Sequence, residues 1–310
     1  GKIVAVKGIG GFHLACDATH ADAVQLLRDR KRRPSKPLAV MVPDVSFLND
    51  LTETEIRLLT STTAPIVLLA KHKVPSLAEQ IAPQLNEIGV MLPSNPLQHL
   101  LLREVNRPLV MTSANPSGQP PVLDNQSAVE YLSDLADYFL CHNRDILQRA
   151  DDSLVRAAFD GVEILRRARG YVPDETLLDQ HSVRNVLALG SDLKNTFCLL
   201  RQNKAIVSQH IGDTSNEKVR SQLEANIALF CQIYQFKPAL IAIDSHAGYI
   251  THEVGKRLAA QHKIPYVEVL HHHAHIVSVM AEHHCHEQVI GLALDGIGMG
   301  ENGQLWGGEC

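Results

Sequence analysis

Lys2-Ile3-Val4-Ala5-Val6-Lys7-Gly8-Ile9-Gly10-Gly11 opens the chain, and this stretch decides the fold. An apolar run that ends in a glycine-rich turn predicts a buried strand, and the apolar spacing of residues 21–30 predicts a helix after it. Strand and helix patterns go on alternating to the end of the sequence. The chain is therefore expected to form an α/β layer fold.

The remaining predicted elements fall into two groups. The first contains strands at 37–42, 66–69 and 109–111 and helices near 54–60, 97–105 and 126–135. The second contains a strand at 186–189, a hairpin of 196–200 and 205–208, a helix at 216–234, and strands at 240–243, 266–270 and 289–294. The polar residues 171–185 separate the groups, so domains are expected over 1–175 and 186–310.

The composition of the 310 residues excludes several classes of protein. The net charge of −5 gives no overall attraction to nucleic acid or anionic membrane, so local clusters must carry any anion binding. The six cysteines are scattered without a C-x-x-C pair, which argues against a disulfide framework. No apolar run approaches the roughly 20 residues that cross a bilayer, and no signal peptide is evident. We expect a cytoplasmic protein, and a segment of a longer one.

A dense group of cations spans the end of the first predicted helix and the residues that follow it. Six of them lie within nine residues: Arg28, Arg30, Lys31, Arg32, Arg33 and Lys36. One interpretation is a solvated helix end, where cations favour the helix dipole. The other is an anion site, because the run passes directly into the apolar strand at Pro37. Lys7 supports the second interpretation, since it adjoins a glycine-rich turn whose N–H groups can approach a phosphate.

The turn Thr112-Ser113-Ala114-Asn115-Pro116-Ser117-Gly118 follows a predicted buried strand. It is either a plain Asx/Ser turn or a group of nucleotide contacts at the carboxyl end of a strand. Together with residues 7–18, 31–38, 142–145, 152–153 and 165–170, it resembles in order the motifs of the YrdC-like family. That family forms acyl-type adenylates from a carbamate and ATP, with Mg²⁺.

The resemblance implies the positions of the ATP and carbamate contacts. It assigns catalytic roles to Lys31, Arg33 and Lys36, and nucleotide contacts to Lys7, Ser113, Asn115, Ser153 and Arg166. The chemistry suits these residue types, because two anions must meet at the α-phosphorus and the site must neutralise both.

A histidine group follows the predicted strand 266–270. His271 and His275 stand at i,i+4 on one face of the expected helix, a spacing that lets two imidazoles bind one metal ion. Asp295, at the tip of the strand predicted at 289–294, can add a carboxylate, and such a set suits Fe or Zn. His272 and His273 are expected to pack or form hydrogen bonds, and the second group at 283–286 is expected to be an exposed loop. Residues 295–303 predict a glycine-rich hairpin that turns at Asn302-Gly303.

The second half resembles the TsaD-like carbamoyltransferase domain of the HypF family, which has an actin/Hsp70-like (ASKHA) fold. The matching stretches are residues 190–197, 208–213, the histidine motif, and 295–309. The resemblance implies that His271, His275 and Asp295 hold a metal that polarises a carbamoyl adenylate. It also implies transfer to the C-terminal cysteine of a partner protein, HypE, for the cyanide ligand of nickel–iron hydrogenase. The second half of that fold is absent from the sequence, and Ala247 stands where the family usually has proline.

Two other functions are considered. Synthesis of tRNA threonylcarbamoyladenosine uses similar domains, but normally on separate chains. An RNA-binding module could use the cationic run, with affinity that falls steeply with salt. The net charge and the aromatic content of 5% count against it. We therefore expect ATP and carbamoyl phosphate or carbamate as substrates, with no membrane or nucleic acid as partner.

Overall fold

The computed structural model describes residues 1–115, 122–159 and 161–310. The chain divides into two compact units, Gly1–Val172 and Pro173–Cys310. Both alternate strands and helices, which confirms the α/β class. Of the Thr112–Gly118 motif, Pro116, Ser117 and Gly118 lie outside the described residues.

The described residues of the first unit form nine strands in one mixed sheet and four α-helices. Its strands are β1 (Val4–Lys7), β2 (Phe12–Asp17), β3 (Val40–Met41), β4 (Ile66–Ala70), β5 (Glu87–Met91), β6 (Leu109–Ser113), β7 (Tyr138–Leu140), β8 (Leu154–Ala158) and β9 (Gly161–Arg166). Its helices are α1 (Ala21–Lys31), α2 (Glu53–Leu59), α3 (Pro96–Val105) and α4 (Asn125–Leu132). The strand order is β7-β1-β2-β6-β3-β5-β4-β8-β9.

The centre of this sheet positions the cationic run. β2 lies between β1 and β6 and is antiparallel to both. Alternate residues of these strands are buried in two apolar clusters, one on each face, because successive side chains of a strand point to opposite faces. Val24 and Leu27 of α1 belong to the same buried cluster as Phe12 and Leu14. The packing of α1 on that face brings its last turn close to the end of β6.

The second unit contains a four-stranded sheet, a two-stranded hairpin and three helices. Its strands are β10 (Glu175–Ala188), β11 (Cys198–Val207), β12 (Leu240–Asp244), β13 (Tyr266–Val269), β14 (Gly298–Met299) and β15 (Leu305–Trp306). Its helices are α5 (Glu217–Ile233), α6 (Ile250–His262) and α7 (His271–Glu282). The order is β11-β10-β12-β13, in which β10, β12 and β13 are parallel neighbours and β11 is antiparallel to β10.

Three sequence expectations for the second unit are wrong. The polar residues from Glu175 onward belong to the long strand β10 and are not a connector, because they pair with β11 at one edge of the sheet. The hairpin expected within 196–208 is instead the single strand β11, whose partner is β10. Residues 289–294 form no strand in the described structure. Apart from the bridge of Ala293 to Glu309 they lack ladder pairing, and Ile290 and Leu294 are exposed.

Most of the other predicted elements are confirmed. The helix predicted at 21–30 is α1, and that at 216–234 is α5, for which Asn216 is the N-cap. The hairpin that turns at Asn302-Gly303 is β14 and β15. The strand predicted at 37–42 is reduced to β3, two residues long. None of the helices in the described part of the chain is both long and apolar enough to span a bilayer.

Candidate functional site

The last residue of α1, Lys31, is a buried cation that lies at the end of β6. The helix stops at Lys31 because Arg32 adopts a left-handed conformation, with φ of 49°, and its N–H caps the last turn. Lys31 is only 6% exposed. Its Nζ donates hydrogen bonds to the carbonyl oxygens of Ser113 at 2.6 Å and Asn115 at 3.2 Å. The structure thus joins two motifs that are 82 residues apart.

The turn after β6 is ordered by its own polar side chains. The Ser113 hydroxyl donates to the Asn115 side-chain oxygen at 2.9 Å, and that oxygen lies 3.5 Å from Lys31 Nζ. Arg33 reaches the same strand end, where its Nη1 donates to Thr112 Oγ1 at 3.3 Å and its Nη2 to the Pro37 carbonyl at 2.6 Å. A lysine, an arginine, a hydroxyl and an amide therefore converge at one strand end.

Several cations in this cluster have no carboxylate partner among the residues that the structure describes. Ion pairs with carboxylates are found for Arg30, Arg149 and Arg169. Within residues 1–115, 122–159 and 161–310, none is found for the four others near the strand end: Lys31, Arg33, Lys36 and Arg166. The buried Nε of Arg33 also has no hydrogen-bond acceptor in the described structure. Since an unpaired buried donor is costly, such a site is suited to receive an anion.

Burial and repulsion from neighbouring cations lower the pKa values of Lys31 and Lys36. Burial, with the nearby charges of Arg33 and Lys36, lowers the pKa of Lys31 to about 8. Burial and the charges of Arg33 and Arg166 likewise lower the pKa of Lys36. Arg166 is therefore close enough to Lys36 to be part of the same electropositive field. A bound polyphosphate would reverse this effect, because opposite charge favours the protonated form.

Arg28 holds the cationic loop in place. Its guanidinium is 3% exposed and donates to the carbonyl oxygens of five residues: Arg33, Pro34, Lys36, Gln80 and Ile81. Three of these acceptors belong to the loop that carries Arg33 and Lys36. The loop therefore has a fixed course despite its lack of regular structure. From sequence, Arg28 is only one of six neighbouring cations, because the positions of carbonyl groups cannot be read from a sequence.

Lys7 lies on the other side of β2 from the strand end. The pairings Lys7↔Phe12 and Leu14↔Thr112 put Lys7 and Thr112 on the same face of the sheet. Lys7 is 3% exposed, and its Nζ donates to the His142 carbonyl at 3.1 Å. His142 lines a separate cavity of about 390 Å³ together with Gly8, Ile9 and Arg144.

Ser153 and Arg166 meet at the end of β8. Arg166 Nε donates to the Asp152 carbonyl at 2.9 Å. Ser153 is completely buried, and its hydroxyl donates to the Arg169 carbonyl at 2.9 Å and accepts from the Ala168 N–H at 2.8 Å. Both bonds of this hydroxyl are internal, so its visible role is to shape the segment that follows β9.

A buried charge network adjoins this segment. Arg169 donates to Asp152 Oδ1 at 2.7 Å, and His13 Nε2 lies 3.5 Å from Asp152 Oδ2. Burial opposes ionisation of Asp152, but the hydrogen bond from His13 and the charge of Arg169 outweigh it, so the pKa of Asp152 falls well below its usual range. This network ties β2 to the segment after β9, which is far from it in the sheet order.

The second cluster lies at the start of α7. His271 is the first residue of the helix, and His275 follows one turn later. Their Nε2 atoms are 3.2 Å apart, and Asp295 Oδ2 lies 3.0 Å from His271 Nε2 and 3.6 Å from His275 Nε2. The three ligand atoms fall within 4.8 Å of one another. Two imidazole nitrogens and one carboxylate oxygen are a fitting donor set for Zn or Fe.

Asp244 stands behind the first histidine. It ends β12, and its Oδ2 lies 2.7 Å from His271 Nδ1. A carboxylate on the outer nitrogen of a histidine is the usual support for a metal ligand. Asp244 is not among the site residues predicted from the sequence. Its position at the end of a buried strand parallel to the one before the histidines was the available signal.

The histidine cluster opens into a cavity of about 780 Å³ in the second unit. Polar groups on its wall include Ser191, Lys194, Tyr249 and Asp295. Apolar residues such as Leu193 and Val279 form the rest of the lining. A cavity of this size accommodates a nucleotide-sized ligand beside the histidines.

The neighbouring histidines have other partners, as expected. His272 is buried, and its Nδ1 lies 2.7 Å from Glu309 Oε2. His284 and His286 are exposed, and both contact Asp179 Oδ2, at 2.9 and 2.7 Å. In the described structure only His271, His275 and Asp295 have the spacing of a metal site.

Comparison with known proteins agrees with this architecture. The family model described as telomere recombination, Sua5–YciO–YrdC, matches residues 1–168, and the HypF Kae1-like domain matches residues 181–282. Carbamoyltransferase HypF2 of Cupriavidus necator is 47% identical over all of this chain and 41% of its own length. Carbamoyltransferase HypF of Synechocystis is 44% identical over all of this chain and 40% of its own length.

Solved structures give the same result. A full-length HypF in a phosphate- and nucleotide-bound form superposes with a TM-score of 0.91 at 46% identity, over 99% of this chain and 48% of that one. HypF of T. kodakarensis gives a TM-score of 0.92 at 43% identity, over 100% of this chain and 41% of that one. The chain thus spans about two fifths of the length of the curated relatives it matches.

Fold and site together define a class of protein, in which a YrdC-like domain with a cationic strand end precedes a Kae1-like domain with a histidine cluster. Within that class, the chain belongs to the HypF carbamoyltransferase family.

Proposed function

We propose that the first unit makes a carbamoyl adenylate from ATP and a carbamate. A carbamate oxygen attacks the α-phosphorus, the bond from this phosphorus to the bridging oxygen breaks, and pyrophosphate leaves. The observation that carries the proposal is the buried Lys31 on the Ser113–Asn115 turn, beside the cations Arg33 and Lys36, for which the described residues provide no ion pair. Preorganised positive charge is what such a transfer requires, because negative charge on both reactants must be neutralised.

Each predicted residue has a specific part in this proposal. Lys31 and Arg33 contact the phosphates from the strand end, and Lys36 and Arg166 complete the positive field. Ser113 and Asn115 orient the nucleotide, while Lys7 approaches from the glycine-rich turn on the same sheet face. Ser153 supports the segment that directly follows Arg166. Mg²⁺ would accompany the pyrophosphate as it leaves.

The second unit is proposed to carry the transfer step. His271, His275 and Asp295 would hold a Zn or Fe ion, which when bound supplies Lewis acidity to a carbonyl oxygen. A thiolate attacks the carbamoyl carbon, the bond to the adenylate oxygen breaks, and AMP leaves. The cavity of about 780 Å³ gives the adenylate room beside the histidines.

The acceptor is proposed to be the C-terminal cysteine of HypE, and the product a thiocarboxamide on the way to the cyanide ligand of nickel–iron hydrogenase. Carbamoyl phosphate is proposed as the source of the carbamate, and the cytoplasm as the location. What supports these assignments is membership of the HypF family and the order of the two domains.

One experiment tests the first step. The purified chain is incubated with ATP and Mg²⁺, with and without carbamoyl phosphate or carbamate, and AMP and pyrophosphate are measured. Both should form only when the carbamate source is present. Lys31→Ala and Arg33→Ala should abolish their formation, whereas the 77%-exposed Arg103→Ala should not change it. Release of ADP without a carbamate source would contradict the proposal.

A second experiment separates the two steps. His271→Ala should leave carbamate-dependent AMP formation intact and block carbamoylation of the partner thiol, detected by mass spectrometry. His99→Ala, at an exposed position of α3, serves as the control. Loss of the same step in Lys31→Ala and His271→Ala would show that the proposed division between the two units is wrong.

A further inference from the structure

The carboxylate of Asp244 is held in a single orientation. The residue is 8% exposed, and its Oδ1 accepts the backbone N–H of His246 at 2.9 Å. Its other oxygen, Oδ2, faces His271 Nδ1 at 2.7 Å. Each oxygen therefore has its own partner, and the two partners lie on different segments of the chain.

The backbone of Asp244 is equally fixed. Asp244 pairs with Val269 in the parallel ladder of β12 and β13, and its carbonyl lies 2.9 Å from the Nδ1 of the buried His252. The next residue, Ser245, donates its N–H to the Val269 carbonyl at 2.9 Å. Since α7 begins two residues after Val269, the ladder itself sets the distance from Asp244 to His271.

An ionised carboxylate only accepts hydrogen bonds. The nitrogen that faces Asp244 Oδ2, Nδ1, must therefore carry a proton. The remaining nitrogen, Nε2, faces the carboxylate of Asp295, and its lone pair is the one that a metal ion can take in place of a proton. Nε2 is also the atom that lies 3.0 Å from Asp295 and 3.2 Å from His275 Nε2.

We propose that Asp244 is the positioning residue of the histidine cluster: it keeps a proton on Nδ1 of His271 and so makes Nε2 the atom that binds the metal. Asp244 is not a ligand, because His271 stands between it and the cluster. The inference that Nε2 binds a metal rests on the proposed function, whereas the inference that Nδ1 carries a proton does not.

Asp244→Asn is a sharp test because the two side chains have the same shape. Asparagine has one acceptor oxygen where the structure needs two. If that oxygen accepts from His246, the amide NH₂ faces His271 and forces Nδ1 to become an acceptor, which puts the proton on Nε2. The variant should fold normally and bind Zn²⁺ with an affinity lower by about 10–100-fold, the usual effect of losing such a support. Asp213→Asn, at an exposed turn, is the matched control and should bind as the unaltered chain does.

Two measurements are made on each variant. Calorimetric titration with Zn²⁺ gives the metal affinity, and ¹⁵N NMR of the imidazoles in the metal-free protein shows whether Nδ1 of His271 carries a proton. The expected results are a protonated Nδ1 in the unaltered chain and weaker Zn²⁺ binding by Asp244→Asn. Equal affinity in the two proteins, or an Nδ1 without a proton in the unaltered chain, would overturn the proposal. Failure of the unaltered chain to bind Zn²⁺ would instead remove the proposed metal site, and the NMR measurement would still decide the role of Asp244.

Discussion

Binding of ATP to the first unit should be accompanied by proton uptake at Lys31. The pKa of this lysine is lowered to about 8 by burial and by the charges of Arg33 and Lys36. A phosphate placed beside it restores a normal or higher pKa, because opposite charge favours the protonated form. The uptake per bound nucleotide is therefore about 0.1 proton at pH 7, about 0.5 at pH 8 and about 0.9 at pH 9.

In the unliganded protein, the lowered pKa of Lys31 reduces the stability of the fold. Because the folded-state pKa lies below that of the unfolded chain, the charged lysine costs stability, and the full cost applies below pH 8. The cost fades as the pH rises from about 8 towards the usual value for lysine near 10.4. Lys31→Met removes both the cost and the proton uptake. It also removes the two hydrogen bonds to the turn after β6.

Isothermal titration calorimetry measures the uptake. Binding of MgATP is followed at pH 8 in buffers with different ionisation enthalpies, and the slope of observed enthalpy against ionisation enthalpy gives the number of protons. A slope near zero in the unaltered chain would refute the placement of phosphate beside Lys31. So would an equal slope in Lys31→Met. Lys237→Met, an exposed lysine in the second unit, should leave the slope unchanged.

Three further outcomes follow from the contacts described above. Arg28→Lys offers at most three donors to five carbonyl groups, so it should lower the free energy of unfolding by about 2 kcal/mol in urea titrations and raise the KM for ATP. Gly10→Ala places a Cβ 2.2 Å from the Ala150 carbonyl oxygen and should cost about 1–3 kcal/mol, seen as a lower Tm. Asp152→Asn should make the stability depend less on pH in the acid range. The hydrogen bond from His13 depresses the pKa of Asp152, so this carboxylate contributes stability above its unfolded pKa, and that stability is lost as the pH falls. An unchanged pH dependence of stability in the acid range would contradict this.

Much of the fold could be predicted from sequence because the signals were local. The helices α1 and α5 extend over several turns, so their apolar spacing and caps can be read within one window. Both ends of β11 were predicted as strands, but their union into one strand could not be predicted, because its centre is polar and only pairing with β10 makes it extended. The apolar residues 289–294 were wrongly predicted to form a strand. Their composition predicts a strand, but no ladder partner is present for them in the described structure.

The candidate sites show the same division. The sequence by itself determined the density of cations after α1 and the placement of His271 and His275 on one helical face, since both depend only on spacing along a few residues. Tertiary structure alone decided which groups these residues meet. Lys31 contacts a turn 82 residues away, and His271 contacts a carboxylate 27 residues before it. The register of the sheets sets both contacts, and register is a property of paired strands that no single segment contains.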